Sequence, residues 1–246
     1  LYAPDLRSRE DSSGWKRCAT LRDAEDYALS RFAGDIPADV RRAAVDRLLA
    51  RFSESDPIPL VDVGGFKLLE LFHGRTGAFK DVALSMLPVL LRYSAGDRRV
   101  LVLTATSGDT GSSAMQGFSG VDGTGVAVFF PDKGVSRIQR LQMTTASGDN
   151  VHAIALRGNF DDAQTGVKAL FGSEEFIQDM KREGRVLSSA NSINFGRLVP
   201  QIVYYVYAYG KLLKGGVLKE NEPMNVVVPT GNFGNILAGY YAKLMG

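Results

Sequence analysis

The sequence predicts an α/β fold, with parallel sheets flanked by helices on both faces. Three features point there. Strand-like and helical patterns alternate from residue 100 onward. Continuous apolar runs such as Val100-Leu101-Val102-Leu103 suit strands buried on both faces. Gly, Ser and Thr collect in the turns that lead from strand to helix. Composition agrees: the 246 residues are 45% hydrophobic and 23% charged, which excludes disorder, collagen and small disulfide scaffolds.

Taken in order, residues 1–30 hold mixed charge and weak periodicity, with Trp15 and Tyr27 as scattered apolar anchors. Residues 36–52 predict an amphipathic helix, because Val40, Ala44, Leu48, Leu49 and Phe52 recur at helical spacing after an early Pro37. Short strand-like runs follow at 60–63 and 66–72, then a helix over 81–94 with Pro88 as a kink point. Strands are predicted at 100–103, 125–130, 151–156, 185–188 and 226–228. Helices are predicted at 112–118, 136–145, 161–171, 174–183 and 194–213, with a last one ending at Met245. Residues 215–223 form a polar connection and a candidate domain boundary.

Charge and cysteine usage narrow the function. Lys and Arg number 29 against 27 Asp and Glu, a formal charge of +2, too small an excess to predict a nucleic-acid or membrane partner. The lone Cys18 makes no internal disulfide and fits a reducing, cytoplasmic setting. With two histidines, His73 and His152, and neither CxxC nor HExxH, a His/Cys metal site is not expected. Residues 1–10 lack the apolar core of a signal peptide, and residues 198–213 are too short and polar to span a bilayer. The chain starts without Met and stops as a helical pattern finishes, so a fragment of a longer protein is expected.

Four segments could hold chemistry. In Pro229-Thr230-Gly231-Asn232-Phe233-Gly234-Asn235, an apolar run leads through glycines into a helix, an arrangement suited to an anion. It lacks the third glycine of the dinucleotide fingerprint and the Gly-Lys-Ser/Thr of a P-loop, and an ordinary βα turn explains it equally well. Residues Thr104 to Gly111 place hydroxyls and amides where open α/β sheets bind ligands, although a self-capped turn has the same composition. Lys80 stands among Ala78, Phe79, Val82 and Ala83; most lysines are solvated, but apolar neighbours would lower its pKa toward that of an amine nucleophile. Asp81 could cap the following helix. Residues Ser188 to Arg197 join two carboxamides, serines and an arginine at a helix start, suited to a phosphate or to plain N-capping.

Together these segments resemble threonine synthase in its longer bacterial form. The resemblance rests on Leu71-Phe72-His73-Gly74 with Ala78-Phe79-Lys80-Asp81, on Thr104 to Gly111, and on Gln142-Met143-Thr144-Thr145. It continues through Gly158 to Gln164, Ser188 to Arg197, Pro200 to Tyr205 and Pro229 to Tyr241, with Leu1-Tyr2-Ala3-Pro4 at the start. It implies a pyridoxal-phosphate enzyme of fold type II, the tryptophan-synthase-β-like fold, with the cofactor between two α/β domains. The implied division is an N-terminal helical segment (1–55), the first part of a large cofactor-binding domain (56–100), a smaller α/β domain (101–220), and a return to the large domain with the phosphate loop (221–246).

The resemblance assigns Lys80 to the Schiff base with pyridoxal 5'-phosphate, and Gly231, Asn232, Phe233, Gly234 and Asn235 to its phosphate. Ser107, Gly108, Asp109 and Thr110 fall at the cofactor ring, with Thr106, Ser107 and Thr110 toward the substrate carboxylate. Asn191, Ser192, Asn194 and Arg197 fall at the substrate phosphate. The implied reaction turns O-phospho-L-homoserine and water into L-threonine and phosphate. The alternatives are a phospholyase releasing 2-oxobutanoate, ammonia and phosphate, and a non-catalytic relative. Arg75 replaces the family's usual proline, Gly77 replaces a bulkier residue, and the family's C-terminal part is missing.

Overall fold

A computed structural model describes Gly14, Cys18, residues 20–192 and residues 194–245. The Leu1 to Pro4 opening, the Trp15 anchor and Ile193 lie outside the described residues.

Helix α1 spans Leu21–Phe32, a stretch whose sequence periodicity is weak. Its signal is local. Thr20 Oγ1 accepts from the Asp23 amide at 3.2 Å, and the Asp23 carboxylate accepts from the Thr20 amide at 2.9 Å, a reciprocal capping box. Leu21, Ala24, Ala28, Leu29 and Phe32 then bury one face. Helix α2 (Ala38–Leu49) follows inside the predicted 36–52. Strands β1 (Leu60–Val63) and β2 (Phe66–Leu69) pair antiparallel. Gly64 and Gly65 join them with φ of 54° and 88°, the positive values that a two-residue hairpin turn requires.

Helix α3 (Lys80–Ala95) contains Pro88 and is apolar on two sides. Strands β3 (Arg99–Ala105), β4 (Thr124–Pro131), β5 (Val151–Leu156) and β6 (Arg185–Ser188) form one parallel sheet in the order β5-β4-β3-β6. Helices α4 (Asp109–Phe118), α5 (Arg137–Thr144), α6 (Phe160–Gly172) and α7 (Glu174–Arg182) alternate with its strands. The period of two decides which helix packs where. Val100, Val102, Val126, Val128 and Phe130 meet Ala114, Met115, Phe118 and Met143 of α4 and α5. Leu101, Leu103, Ala105, Ala127 and Phe129 meet Ala163, Val167 and Phe176 of α6 and α7.

Another core is mostly helical. Helices α8 (Phe195–Lys214) and α9 (Gly234–Leu244) join α1, α2 and α3 around Leu29, Leu48, Ile58, Met86 and Ile202. Val82, Met86 and Leu90 of α3 face this layer, while its Leu84, Leu87 and Ala95 face the sheet. One helix therefore seals both cores. Helix α8 lies inside the 101–220 span, yet it packs in the helical layer rather than on the sheet.

The strand predicted at 226–228 is not formed. Val227 is 94% exposed, and no strand among the described residues pairs with this segment. An apolar run without a ladder partner has nowhere to place its backbone hydrogen bonds except water, so propensity alone does not make it a strand. Among the described residues no helix is long and apolar enough to cross a membrane.

Two packing features yield predictions. A Cβ on Gly117 would lie 2.1 Å from the Leu84 carbonyl oxygen, so α3 and α4 touch through backbone. Alanine adds helix propensity worth about 1 kcal/mol, but a clash with main chain outweighs it. Gly117→Ala should destabilise the full-length protein by about 2 kcal/mol, read as a lower urea midpoint. The second feature is Glu25, fully buried on α1, with neither carboxylate oxygen hydrogen-bonded among the described residues. Burial raises its pKa well above the ordinary value. The folded chain therefore holds this proton more tightly than the unfolded chain. Its contribution is largest below the ordinary glutamate range and is lost as pH rises from there toward the raised value. Glu25→Gln should gain stability relative to wild type as pH rises from 5 to 8, measured by thermal unfolding; a pH-independent difference would contradict this.

Candidate active site

The chain leaves β3 toward β4 on one side, and β6 later docks on the other side of β3. Beyond the carboxyl ends of β3 and β6 the strand order reverses, which opens a crevice in an open parallel sheet. Two of the four singled-out segments line it. Asn191 braces them: its Oδ1 accepts from Thr104 Oγ1 at 2.9 Å, and its Nδ2 donates to the Ala105 carbonyl at 2.9 Å. Ser189 Oγ also donates to Asn191 Oδ1, at 3.2 Å. The loop after β3 is folded by the buried Thr106, whose Oγ1 accepts from the amides of Gly108 at 2.9 Å and Gly111 at 3.0 Å. Ser107 is exposed at the mouth. Gly108 has φ of 147°, and a Cβ there would strike the Gln139 amide at 2.3 Å.

Lys80 is the first residue of α3, and its position is fixed from both sides. Tyr204 on α8 donates its hydroxyl to the Phe79 carbonyl at 2.7 Å. The buried Asp81 carboxylate accepts from the Thr76 amide at 2.8 Å and from Thr76 Oγ1 at 2.6 Å. Asp81 therefore holds the 74–77 turn rather than only capping a helix. The Lys80 side chain is 14% exposed, and its ammonium lies 4.6 Å from the Phe79 ring centre. Its Nζ meets Asp109 Oδ2 at 3.2 Å.

Opposing effects act on the Lys80 amine. Burial pushes Lys80 below the ordinary lysine range, Asp109 offsets part of that, and Arg197 adds to the lowering. Burial alone would raise the Asp109 carboxyl, but the Lys80 charge and the Gln139 hydrogen bond outweigh it and hold it below the usual range. Arg197 is 2% exposed, and burial lowers its pKa to about 10. It donates from one terminal nitrogen to the Ala190 carbonyl at 2.6 Å, while its buried Nε has no partner among the described residues.

The glycine segment meets the same crevice. A Cβ on Gly234 would lie 3.5 Å from Ser192 Cβ, so the start of α9 rests against the loop after β6. Phe233 stands at the N-cap without a side-chain cap bond, and the amides of a helix's first turn have no intrahelical acceptors. Nothing lies within 4 Å of a Cβ placed on Gly231. Asn235 is anchored instead: Tyr205 donates its hydroxyl to Asn235 Oδ1 at 2.6 Å, and Asn235 Nδ2 donates to Gln201 Oε1 at 3.2 Å. Asn194 caps α8 by accepting from the Gly196 amide at 2.9 Å. Its Nδ2 donates to the Ser189 carbonyl at 2.7 Å.

Lys80 and Asp109 are thus brought into contact, and Ser192 links the phosphate-type loop to the crevice. Asn191, Asn194 and Thr106 spend their side chains on the loops themselves. Sequence reasoning gave no site role to Gln139, Gln201, Tyr204 or Tyr205, although the last three lie in the Pro200 to Tyr205 stretch that carried the resemblance. The local signal of Gln139, the Ser136-x-x-Gln139 capping pattern, marks a helix start rather than a partner for Asp109.

Comparison with known proteins gives the lineage. No family model matches the chain. The threonine synthase of Schizosaccharomyces pombe is 43% identical over 223 residues, covering 86% of this chain and 42% of that protein. The threonine synthase of Pseudomonas aeruginosa is 42% identical over 255 residues, covering the whole chain and 52% of its own length. The crystal structure of pyridoxal-phosphate-bound threonine synthase from Brucella melitensis superposes with a TM-score of 0.81 at 39% identity, over 93% of this chain and 48% of that one. This chain is a homologue of the threonine synthases. Its fold is fold type II of the pyridoxal-phosphate enzymes. The chain spans about half the length of these curated relatives.

The Asn191 brace is testable in the threonine synthase homologue at full length. Asn191→Ala removes both bonds that tie β6 to β3 above the sheet and strands the Ala105 carbonyl. It should lower stability by about 2 kcal/mol, read by urea unfolding; a change near zero would mean that water replaces the brace.

Proposed function

We propose that this chain is part of a threonine synthase that turns O-phospho-L-homoserine and water into L-threonine and phosphate with pyridoxal 5'-phosphate. The observation that carries the reading is the Lys80 amine, part-buried at the start of α3 and 3.2 Å from Asp109 in the switch-point crevice. The identity to threonine synthases over nearly the whole chain supports it.

The residues present fit the cofactor. A buried amine with a lowered pKa suits an aldehyde, and the first turn of α9, lacking a side-chain cap, suits a phosphate. In this proposal Lys80 holds the cofactor covalently, while Gly231, Asn232, Phe233, Gly234 and Asn235 hold its phosphate. Ser107, Gly108, Asp109 and Thr110 flank its ring, with Thr106, Ser107 and Thr110 toward the substrate carboxylate. Asn191, Ser192, Asn194 and Arg197 lie on the substrate-phosphate side, where Arg197 supplies the positive charge. When bound, the cofactor supplies a conjugated ring that stores the electron pair left at the substrate Cα. Lys80 would relay the protons: one leaves Cα and one leaves Cβ as phosphate departs from Cγ, one is returned to Cγ and one to Cα, and water adds its hydroxyl at Cβ while its remaining proton goes to the released phosphate. The domain division at residues 55, 100 and 220 and a cytoplasmic setting, suited to a chain with one cysteine, belong to the same proposal.

The full-length protein should purify with the visible absorbance of the bound cofactor and release phosphate and threonine in equal amounts from O-phosphohomoserine. Lys80→Ala should abolish that absorbance and lower turnover by at least ~10³-fold. Retention of the band would overturn the assignment of Lys80. Release of 2-oxobutanoate and ammonia instead of threonine would favour the phospholyase.

A further inference from the structure

Gln139 on α5 is tied in two directions. Its Oε1 accepts from the Ser136 amide at 3.1 Å, and its Nε2 donates to Asp109 Oδ1 at 2.7 Å. The two bonds fix the orientation of the amide, because only the nitrogen can face a carboxylate and only the oxygen can face an N–H. The backbone N–H of Gln139 is also engaged: it donates to Ser136 Oγ at 3.2 Å, which completes a capping box. Gly108 leaves the room. Any side chain there would overlap the Gln139 amide at 2.3–2.4 Å, so the amide lies flat on the loop that carries Asp109. The other Asp109 oxygen, Oδ2, meets Lys80 Nζ.

We propose that Gln139 is a positioning residue for the reaction, its amide held by the α5 cap so that Asp109 stays against the Lys80 amine. This rests on the reading of Lys80 given above. Asp109 is 45% exposed at its side chain, and without Gln139 it is free to turn toward water. The charged groups that act on Lys80 are Asp109 from the α4 start, Arg197 from α8 and Asp81 on its own helix. Of these, Gln139 touches Asp109 alone. Losing the Asp109 contact leaves burial and Arg197 less opposed, so Lys80 should shed its proton at lower pH.

The test uses the full-length protein freed of bound small molecules, which keeps it independent of the cofactor reading. The labelling rate of Lys80 by an amine-reactive acylating reagent is followed against pH by peptide mass. Gln139→Ala should move the labelling midpoint down by about half a unit to one unit, in the same direction as Asp109→Asn. In the Asp109→Asn background, Gln139→Ala should add nothing. Ser136→Ala, which weakens the α5 cap but keeps the Gln139 side chain, should lower thermal stability and leave the midpoint in place. The proposal is overturned by an unchanged or raised midpoint in Gln139→Ala, by an equal shift in the Asp109→Asn background, or by the same shift in Ser136→Ala.

Discussion

Helix α3 is claimed by two cores at once, and Lys80 is its first residue. Val82, Met86 and Leu90 are required by the helical layer, and Leu84, Leu87 and Ala95 by the sheet. A helix wedged in this way cannot rotate without opening one core or the other. That constraint, more than any bond made by the lysine itself, keeps an ammonium-bearing side chain 14% exposed. A surface lysine would escape to water by changing rotamer. Here the backbone is locked, the Phe79 ring faces the amine, and Asp109 is the available counter-charge.

The same constraint explains where glycine is needed. Gly117 lets α4 approach the α3 backbone, Gly74 clears the Asp81 carboxylate, and Gly108 clears Gln139. Each lies on the path that sets Lys80 against Asp109. Arg75 is exposed in the turn that Asp81 holds through Thr76, so that carboxylate rather than the side chain at 75 organises the turn.

Much of the fold was legible because the sheet strands repeat with period two or as apolar runs, and those patterns need no distant information. The bounds of helix α1 were not legible, because its cap uses Asp23 rather than the glutamate or glutamine that usually signals the box. The run 226–228 was read as a strand from propensity, but a strand is a property of a pair, and no described partner reaches it. In the site, Lys80 stood out through its own apolar neighbours. Asn191 and Gln139 did not show their roles, because their partners lie about 87 and 30 residues away along the chain. Spacing reports local chemistry; a brace across a crevice leaves no local trace.

Helix α8 supplies the last link. Tyr204 and Tyr205 are consecutive, so their side chains leave the helix about 100° apart. Tyr204 donates to the carbonyl beside Lys80, and Tyr205 donates to Asn235 at the start of α9. Gln201, one turn earlier, holds Asn235 from a second direction. The amine end and the glycine-loop end of the crevice are therefore registered against one rigid helix rather than against each other. In the function proposed above, a cofactor joined covalently at one end and by its phosphate at the other would need that separation fixed before it arrives, and two neighbouring hydroxyls on a buried helix would fix it. The burial that raises the pKa of both tyrosines keeps their protons in place as donors.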